Sequence, residues 1–218
     1  MKHDLTELVF ILDRSGSMTG LEDDTIGGMN AFLEKQKKVE GRALVTTALF
    51  DHETVLLHDR IDLRAVAPLT DKDYFVRGST ALLDAIGSTI EKISAAHAHT
   101  AEDYRPAHVL FVITTDGYEN ASRKYSADQI RAMITAQKEK GWEFIFLGAN
   151  IDAVKTAANF GISADHAANY HADSIGTRKN FDAVSDATAC FRASAPCAPL
   201  ASGWKESIDE DYKRRKKN

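Results

Sequence analysis

Short, unbroken apolar runs constrain this chain more than anything else in it. Residues 8–12 read Leu-Val-Phe-Ile-Leu and residues 109–113 read Val-Leu-Phe-Val-Ile, and each run stops at a turn rich in Ser, Thr, Gly and Asp. A strand with one wet face alternates apolar and polar residues, so a run without a polar position reads as a strand covered on both faces. Between the runs the apolar period lengthens. Ile26, Met29 and Leu33 are helically spaced and stop at Gly41, while Leu82, Leu83, Ile86, Ile90 and Ile93 mark a second helix with Ser79 and Thr80 as candidate caps. Runs 43–50 and 54–61 are parted only by Asp51-His52-Glu53, enough for a hairpin but not for a crossover. Ile130, Met133, Ile134 and Gln137 bridge run 109–113 to run 143–147 as a βαβ unit; a helix at 154–158, a weak strand near 167–170 and a last helical face from Phe181 to Phe191 follow. The predicted fold class is α/β: a doubly wound, mainly parallel sheet with one antiparallel edge strand and helices on both faces.

The 218 residues are 44% hydrophobic and 27% charged, the composition of one globular domain. The boundary is expected at residues 1–193, with 194–218 a looser polar tail that ends in the basic run Lys213-Arg214-Arg215-Lys216-Lys217. Acids at Asp209 and Glu210, four residues before Lys213 and Arg214, read as an exposed helix end or solvated tail rather than a nucleic-acid contact. A net charge of -5 likewise gives no reason for adhesion to nucleic acid or to an anionic membrane. The first residues lack a signal-peptide pattern, no apolar run is long enough to span a bilayer, and Cys190 and Cys197 are too few for a disulfide framework, so a cytoplasmic protein is expected.

Chemistry concentrates at three places. Asp13-Arg14-Ser15-Gly16-Ser17 follows the first strand, Gly78-Ser79-Thr80 precedes the second helix, and Thr114-Thr115-Asp116-Gly117 follows the fourth strand. In an open doubly wound sheet, ligands collect at the carboxyl ends of the two strands where the order reverses, which brings Asp13 and Asp116 to face each other. Carboxylate and hydroxyl oxygens suit a hard cation such as Mg²⁺ better than zinc or copper. Gly16 lets the turn close.

With these residues the chain resembles the von Willebrand factor A-type family, whose metal-ion-dependent adhesion site combines an Asp-x-Ser-x-Ser run with a distant Thr and a distant Asp. The resemblance covers about residues 5 to 190 and implies that Asp13, Ser15, Ser17, Thr80 and Asp116 hold Mg²⁺ or Mn²⁺. It also implies a non-catalytic module that gives one coordination position to an Asp or Glu of a partner protein. Intracellular relatives serve ATPase or chelatase complexes and bacterial stress-response clusters, roles that the resemblance permits without choosing among them.

Two other classes compete. An Mg²⁺-dependent hydrolase or phosphotransferase could use the same crevice, but an aspartyl-nucleophile enzyme needs a second acid where this chain has Ser15, and no phosphate loop or nucleophile elbow is present. An extracellular adhesion domain requires export, which the N-terminal residues do not suggest. Asp51 and Glu119 read as solvated loop acids, and His97 and His99, two apart on a helix, as surface residues.

Overall fold

The computed structural model describes residues 5–195 and 198–216, so Cys197 and Lys217 lie outside the described residues. Among these the chain runs β1 (Leu5–Asp13), α1 (Glu22–Lys37), β2 (Arg42–Phe50), β3 (Thr54–Asp62), α2 (Leu82–Ala98), β4 (His108–Thr115), α3 (Ala127–Lys138), β5 (Trp142–Ala149), α4 (Ala153–Asn159), β6 (Ala167–Tyr170), α5 (Ser174–Ala193) and α6 (Glu206–Lys216). The strands form one sheet in the order β3-β2-β1-β4-β5-β6, parallel throughout except for β3, which runs antiparallel to β2 at the edge. This is the doubly wound α/β architecture that the apolar runs predict, and its order reverses between β1 and β4.

The unbroken run of β1 is explained by its neighbours. Leu8, Phe10 and Leu12 enter a core with Met29, Phe32 and Leu33 of α1 and Phe181 and Val184 of α5. Val9 and Ile11 enter a second core with Ile86 and Ile90 of α2 and Ile130 and Ile134 of α3. Alternate side chains of a strand point to opposite faces, so a strand between two cores has no position for a polar residue except where that residue is paired. Each such side chain contributes about 1.5–3 kcal/mol by leaving water, and the Phe10 and Phe32 rings add an edge-to-face contact at 4.8 Å.

Two expectations are corrected here. His97 is not a surface residue: it is 9% exposed, its Nε2 lies 2.8 Å from Glu7 Oε2, and its ring meets Trp142 edge-on, whereas His99 is exposed. Glu7 is fully buried on β1 and also receives Arg60 Nε and Nη2 at 2.7 and 3.1 Å. Arg60 sits at φ 51° where β2 and β3 slip in register, and that bend in the edge strand accompanies its reach across β2 to β1. Residues 198–216 are not a loose tail either. Leu200 and Ile208 join the core on the α5 side together with Ala168 and Tyr170 of β6, so α6 covers the last strand of the sheet. Arg215, within the basic run, is held by Asp211 and by Asp173 at the start of α5, while Lys213, Arg214 and Lys216 stay exposed.

Candidate metal centre

Parallel pairing of β1 with β4 sets Leu12 opposite Thr114, so Asp13 and the Thr115-Asp116 pair leave the sheet side by side. Asp13 Oδ1 accepts the Ser15 backbone N–H and Oδ2 accepts the Thr115 hydroxyl, both at 2.7 Å, while its carbonyl accepts the Tyr74 hydroxyl. Ser17 donates its hydroxyl proton to Asp116 Oδ1. A hydroxyl has one proton, so in the 3.1 Å contact between Ser15 Oγ and Ser17 Oγ the donor is Ser15. The chain Ser15 to Ser17 to Asp116 therefore leaves hydroxyl lone pairs free.

Thr80 arrives from a third segment. Its N–H donates to Asn120 Oδ1 at 2.9 Å and its carbonyl accepts the N–H groups of Asn120 and Ala121 at 3.0 and 3.2 Å, which fixes it against the loop after β4. A Cβ placed on Gly117 would stand 3.2 Å from Ser17 Oγ and 3.7 Å from Thr80 Oγ1, so the two hydroxyls border one small space. Gly16 donates its N–H to the Gly78 carbonyl at 3.0 Å. Gly78 itself has φ +69° and a Cβ there would lie 2.3 Å from His52 Nδ1, so a side chain where the two loops meet would strain the backbone and displace the His52 ring. All five residues singled out in the sequence are thus brought to one end of the sheet.

Ser79 and Thr80 do not cap α2, contrary to expectation. Its Leu83 N–H is accepted by Glu119 Oε2 at 2.9 Å and its Asp84 N–H by Ser122 Oγ at 3.0 Å, so the loop after β4 supplies the cap. Glu119 also accepts Ala121 N, Ser122 N and Ser122 Oγ and is no free loop acid. Nothing local marks this role, because the capped Leu83 N–H lies 36 residues earlier.

The two acids are each 1% exposed. Burial raises the Asp13 carboxyl above its ordinary value against the hydrogen bonds from Ser15 and Thr115; burial and then the charge of Asp13 raise Asp116 against the bond from Ser17. Arg14, the cation of the same turn, is turned toward Asp51 instead, with Nε 2.8 Å from Oδ2 but off the line of a hydrogen bond. Asp116 Oδ2 is buried and has no hydrogen-bond partner among the described residues. A lone carboxylate oxygen in that state costs on the order of 1–3 kcal/mol or more, which a cation at that oxygen would offset. The donor set fits such a cation: two carboxylates and three hydroxyls, all oxygen, with Ser17 exposed to solvent. Among the described residues no group of three or more His, Cys, Asp or Glu side chains is arranged to hold a metal ion; the other oxygens of this cluster are hydroxyls.

Asp51, expected to be solvated, is fully buried beside the site. Burial pushes its carboxyl up, but the Glu53 N–H and the Arg77 and Arg14 guanidiniums together hold it below the usual value. Arg77 Nε donates to Asp51 Oδ2 at 2.8 Å, and the Arg14 and Arg77 guanidinium carbons lie 5.3 and 5.9 Å from the centroid of the half-exposed Phe75 ring.

No protein-family model and no curated protein matches the chain. Solved structures do. Proximal thread matrix protein 1 from the mussel byssus, in a structure with a zinc-occupied MIDAS motif, is 13% identical over 86% of this chain and 46% of that one, with a TM-score of 0.59. The ArnB paralog VWA2 from Sulfolobus acidocaldarius is 16% identical over 85% of this chain and 45% of that one, at 0.55. Manganese-loaded TRAP protein of Plasmodium vivax is 19% identical over 72% of this chain and 63% of that one, at 0.54. The chain spans less than two thirds of the length of each of these structures, and at such identities the likeness establishes the von Willebrand factor A-type fold alone.

Proposed function

We propose that this chain is a non-catalytic, metal-dependent protein-binding module in which Asp13, Ser15, Ser17, Thr80 and Asp116 hold Mg²⁺ or Mn²⁺. The observation that carries the reading is the buried Asp116 Oδ2, without a hydrogen-bond partner among the described residues, beside a second buried carboxylate and three hydroxyls. Both oxygens of Asp13 already accept a hydrogen bond, which makes Asp116 Oδ2 the carboxylate oxygen best placed for direct ligation. Zinc in the byssus protein's MIDAS motif and manganese in the TRAP protein support a divalent ion on this fold. The bound ion would supply an electrophilic position for an outside carboxylate oxygen. Three neutral hydroxyls contribute oxygens without adding charge, so an Asp or Glu of a partner protein is attracted rather than repelled. Ser17 faces solvent and marks the open side from which it arrives.

The proposed role is that of an intracellular adaptor or complex subunit, of the kind that serves an ATPase or a stress-response complex. Among the described residues no helix is long and apolar enough to cross a membrane. Isothermal titration of Mg²⁺ and Mn²⁺ into chelator-stripped protein tests the centre. Saturable one-site binding that disappears in Asp13→Ala supports it; heats that are absent in the wild type, or equal in the variant, refute it.

A further inference from the structure

The loop that leaves β4 has no regular structure from Asp116 to Ser126, yet every backbone N–H from Asn120 to Tyr125 is accepted within the protein. Surface loops ordinarily leave such groups to water. Here the Thr80 carbonyl takes Asn120 and Ala121, Glu119 Oε1 takes Ala121 and Ser122, and the Asp84 carboxylate takes Arg123, Lys124 and Tyr125 at 2.9, 2.8 and 3.1 Å. Thr80 and Asp84 bracket the start of α2, so the loop is bonded residue by residue to the segment that carries Thr80. Bonds run the other way too: Thr80 N–H donates to Asn120 Oδ1, Leu83 N–H to Glu119 Oε2 and Asp84 N–H to Ser122 Oγ. A Cβ on Gly87 would lie 2.6 Å from the Tyr125 ring, so the end of the loop rests directly on α2.

This exchange of bonds bears on two of the candidate ligands. Asp116 follows β4 directly, and the pairing of β4 with β1 sets it beside Asp13. Thr80 has no such support, because it lies outside every strand and helix. Asn120 touches it twice: the side-chain oxygen accepts the Thr80 N–H at 2.9 Å and the Asn120 backbone N–H donates to the Thr80 carbonyl at 3.0 Å. The following N–H, of Ala81, goes to the Asp51 carbonyl at 2.7 Å. A residue held at both of its backbone polar groups has a fixed Cα–Cβ direction, and the hydroxyl on that Cβ is placed accordingly.

We propose that Asn120 is a positioning residue of the metal centre: its two bonds to Thr80 aim the Thr80 hydroxyl at the ion, and Asp84 anchors the loop that presents Asn120. The inference rests on the metal-dependent reading and adds a requirement to it, since ligation by Thr80 then depends on an amide side chain that is not itself a ligand. Groups that orient a ligand typically change metal affinity by about 10- to 100-fold when they are removed. The relation is reciprocal. An ion that needs the loop docked on α2 must also stabilise the docked loop.

The test combines calorimetric titration of Mg²⁺ and Mn²⁺ with amide hydrogen exchange followed by NMR, both on chelator-stripped protein. Wild type is compared with Asn120→Ala, Asn120→Asp, Asp84→Ala and Thr80→Ala. Asn120→Ala is expected to weaken ion affinity about tenfold or more and to open the Thr80 amide to exchange, while the amides of β1 keep their protection. Asn120→Asp retains the acceptor oxygen and should keep the Thr80 amide protected. Asp84→Ala should free the amides of Arg123, Lys124 and Tyr125 and weaken the ion about threefold. In the wild type, added Mg²⁺ should slow exchange from Asn120 to Tyr125. Ion affinity of Asn120→Ala within about twofold of wild type overturns the inference, and leaves the metal reading standing when Thr80→Ala is weakened. A weakened ion with the Thr80 amide still protected in Asn120→Ala overturns it as well, because Asn120 then acts by another route. Absence of ion binding in the wild type removes both the reading and the inference. If Asn120→Ala does not fold, Asp84→Ala decides: ion affinity and exchange both equal to wild type overturn the proposal.

Discussion

Strand β1 buries two carboxylates, Glu7 near its start and Asp13 at its end, and they are treated in opposite ways. Glu7 is met by the Arg60 guanidinium through two hydrogen bonds and by the His97 ring, so its negative charge is balanced inside the protein. Asp13 is met, among the described residues, by neutral donors such as the Ser15 amide and the Thr115 hydroxyl, with Asp116 beside it and the cation of its turn, Arg14, directed to Asp51. A buried ion whose partner is part of the fold is a structural device, at best neutral in stability against an apolar replacement but strongly unfavourable to break. A buried pair of like charges without a counter-ion is unfavourable as it stands. It becomes favourable only when something from outside brings positive charge, and this is the reason for proposing the carboxyl end of the sheet, rather than its opposite end, as the functional one.

The comparison can be broken at either end. Asp13→Ala is expected to abolish Mg²⁺ binding in calorimetry and to leave the far-ultraviolet circular dichroism unchanged, because it removes an unbalanced charge. Glu7→Ala should do the reverse. It strands Arg60 and His97 and should cost about 3 kcal/mol in urea denaturation, while the folded fraction titrates Mg²⁺ as the wild type does; loss of metal affinity in that variant would erase the contrast. Gly117→Ala probes the space between Ser17 and Thr80, where the added methyl would stand 3.2 Å from Ser17 Oγ. Crowding of that order costs about 1 kcal/mol, roughly a fivefold weaker metal affinity, and an unchanged affinity would mean that the two hydroxyls do not share one ligand.

The smallest expected effect lies at the opposite end of the sheet. His108 opens β4, is 1% exposed and packs on Phe191, and burial lowers its imidazole below the ordinary value of 6.5 against a contribution from the Ser194 backbone. With the folded value depressed, the unfolded chain binds the extra proton first. The stability that the neutral ring contributes is therefore present above pH 6.5 and is lost as pH falls below that value toward the folded one. Thermal melts of His108→Gln should show a shallower fall in midpoint below pH 6.5 than the wild type shows, with no change in Mg²⁺ affinity; an equally steep fall would assign the acid sensitivity to other groups.

Much of this was legible before any coordinate. The runs at 8–12 and 109–113 declared strands buried on both faces because a doubly covered strand has no room for a polar alternation, and the short stretch 51–53 declared the antiparallel edge because it cannot span a crossover. Asp13 and Asp116 were placed together by the same reasoning, since two strands adjacent at the reversal of order must end side by side. The sequence by itself therefore determined the architecture and the position of the oxygen cluster within it, through patterns that are local or that follow from chain topology. What it hid were the partners of charged side chains. Glu7 with Arg60 and His97, Asp51 with Arg14 and Arg77, Glu119 with the start of α2, and Ile208 under β6 are pairings between residues from 26 to 90 positions apart or between a helix and a distant core. A charged residue has the same appearance in a sequence whether it is solvated, paired or orphaned. Only the tertiary structure decided which acids were neutralised from within and which oxygen, Asp116 Oδ2, was left without a partner, because burial and pairing are properties of the packed neighbours and not of the residue itself.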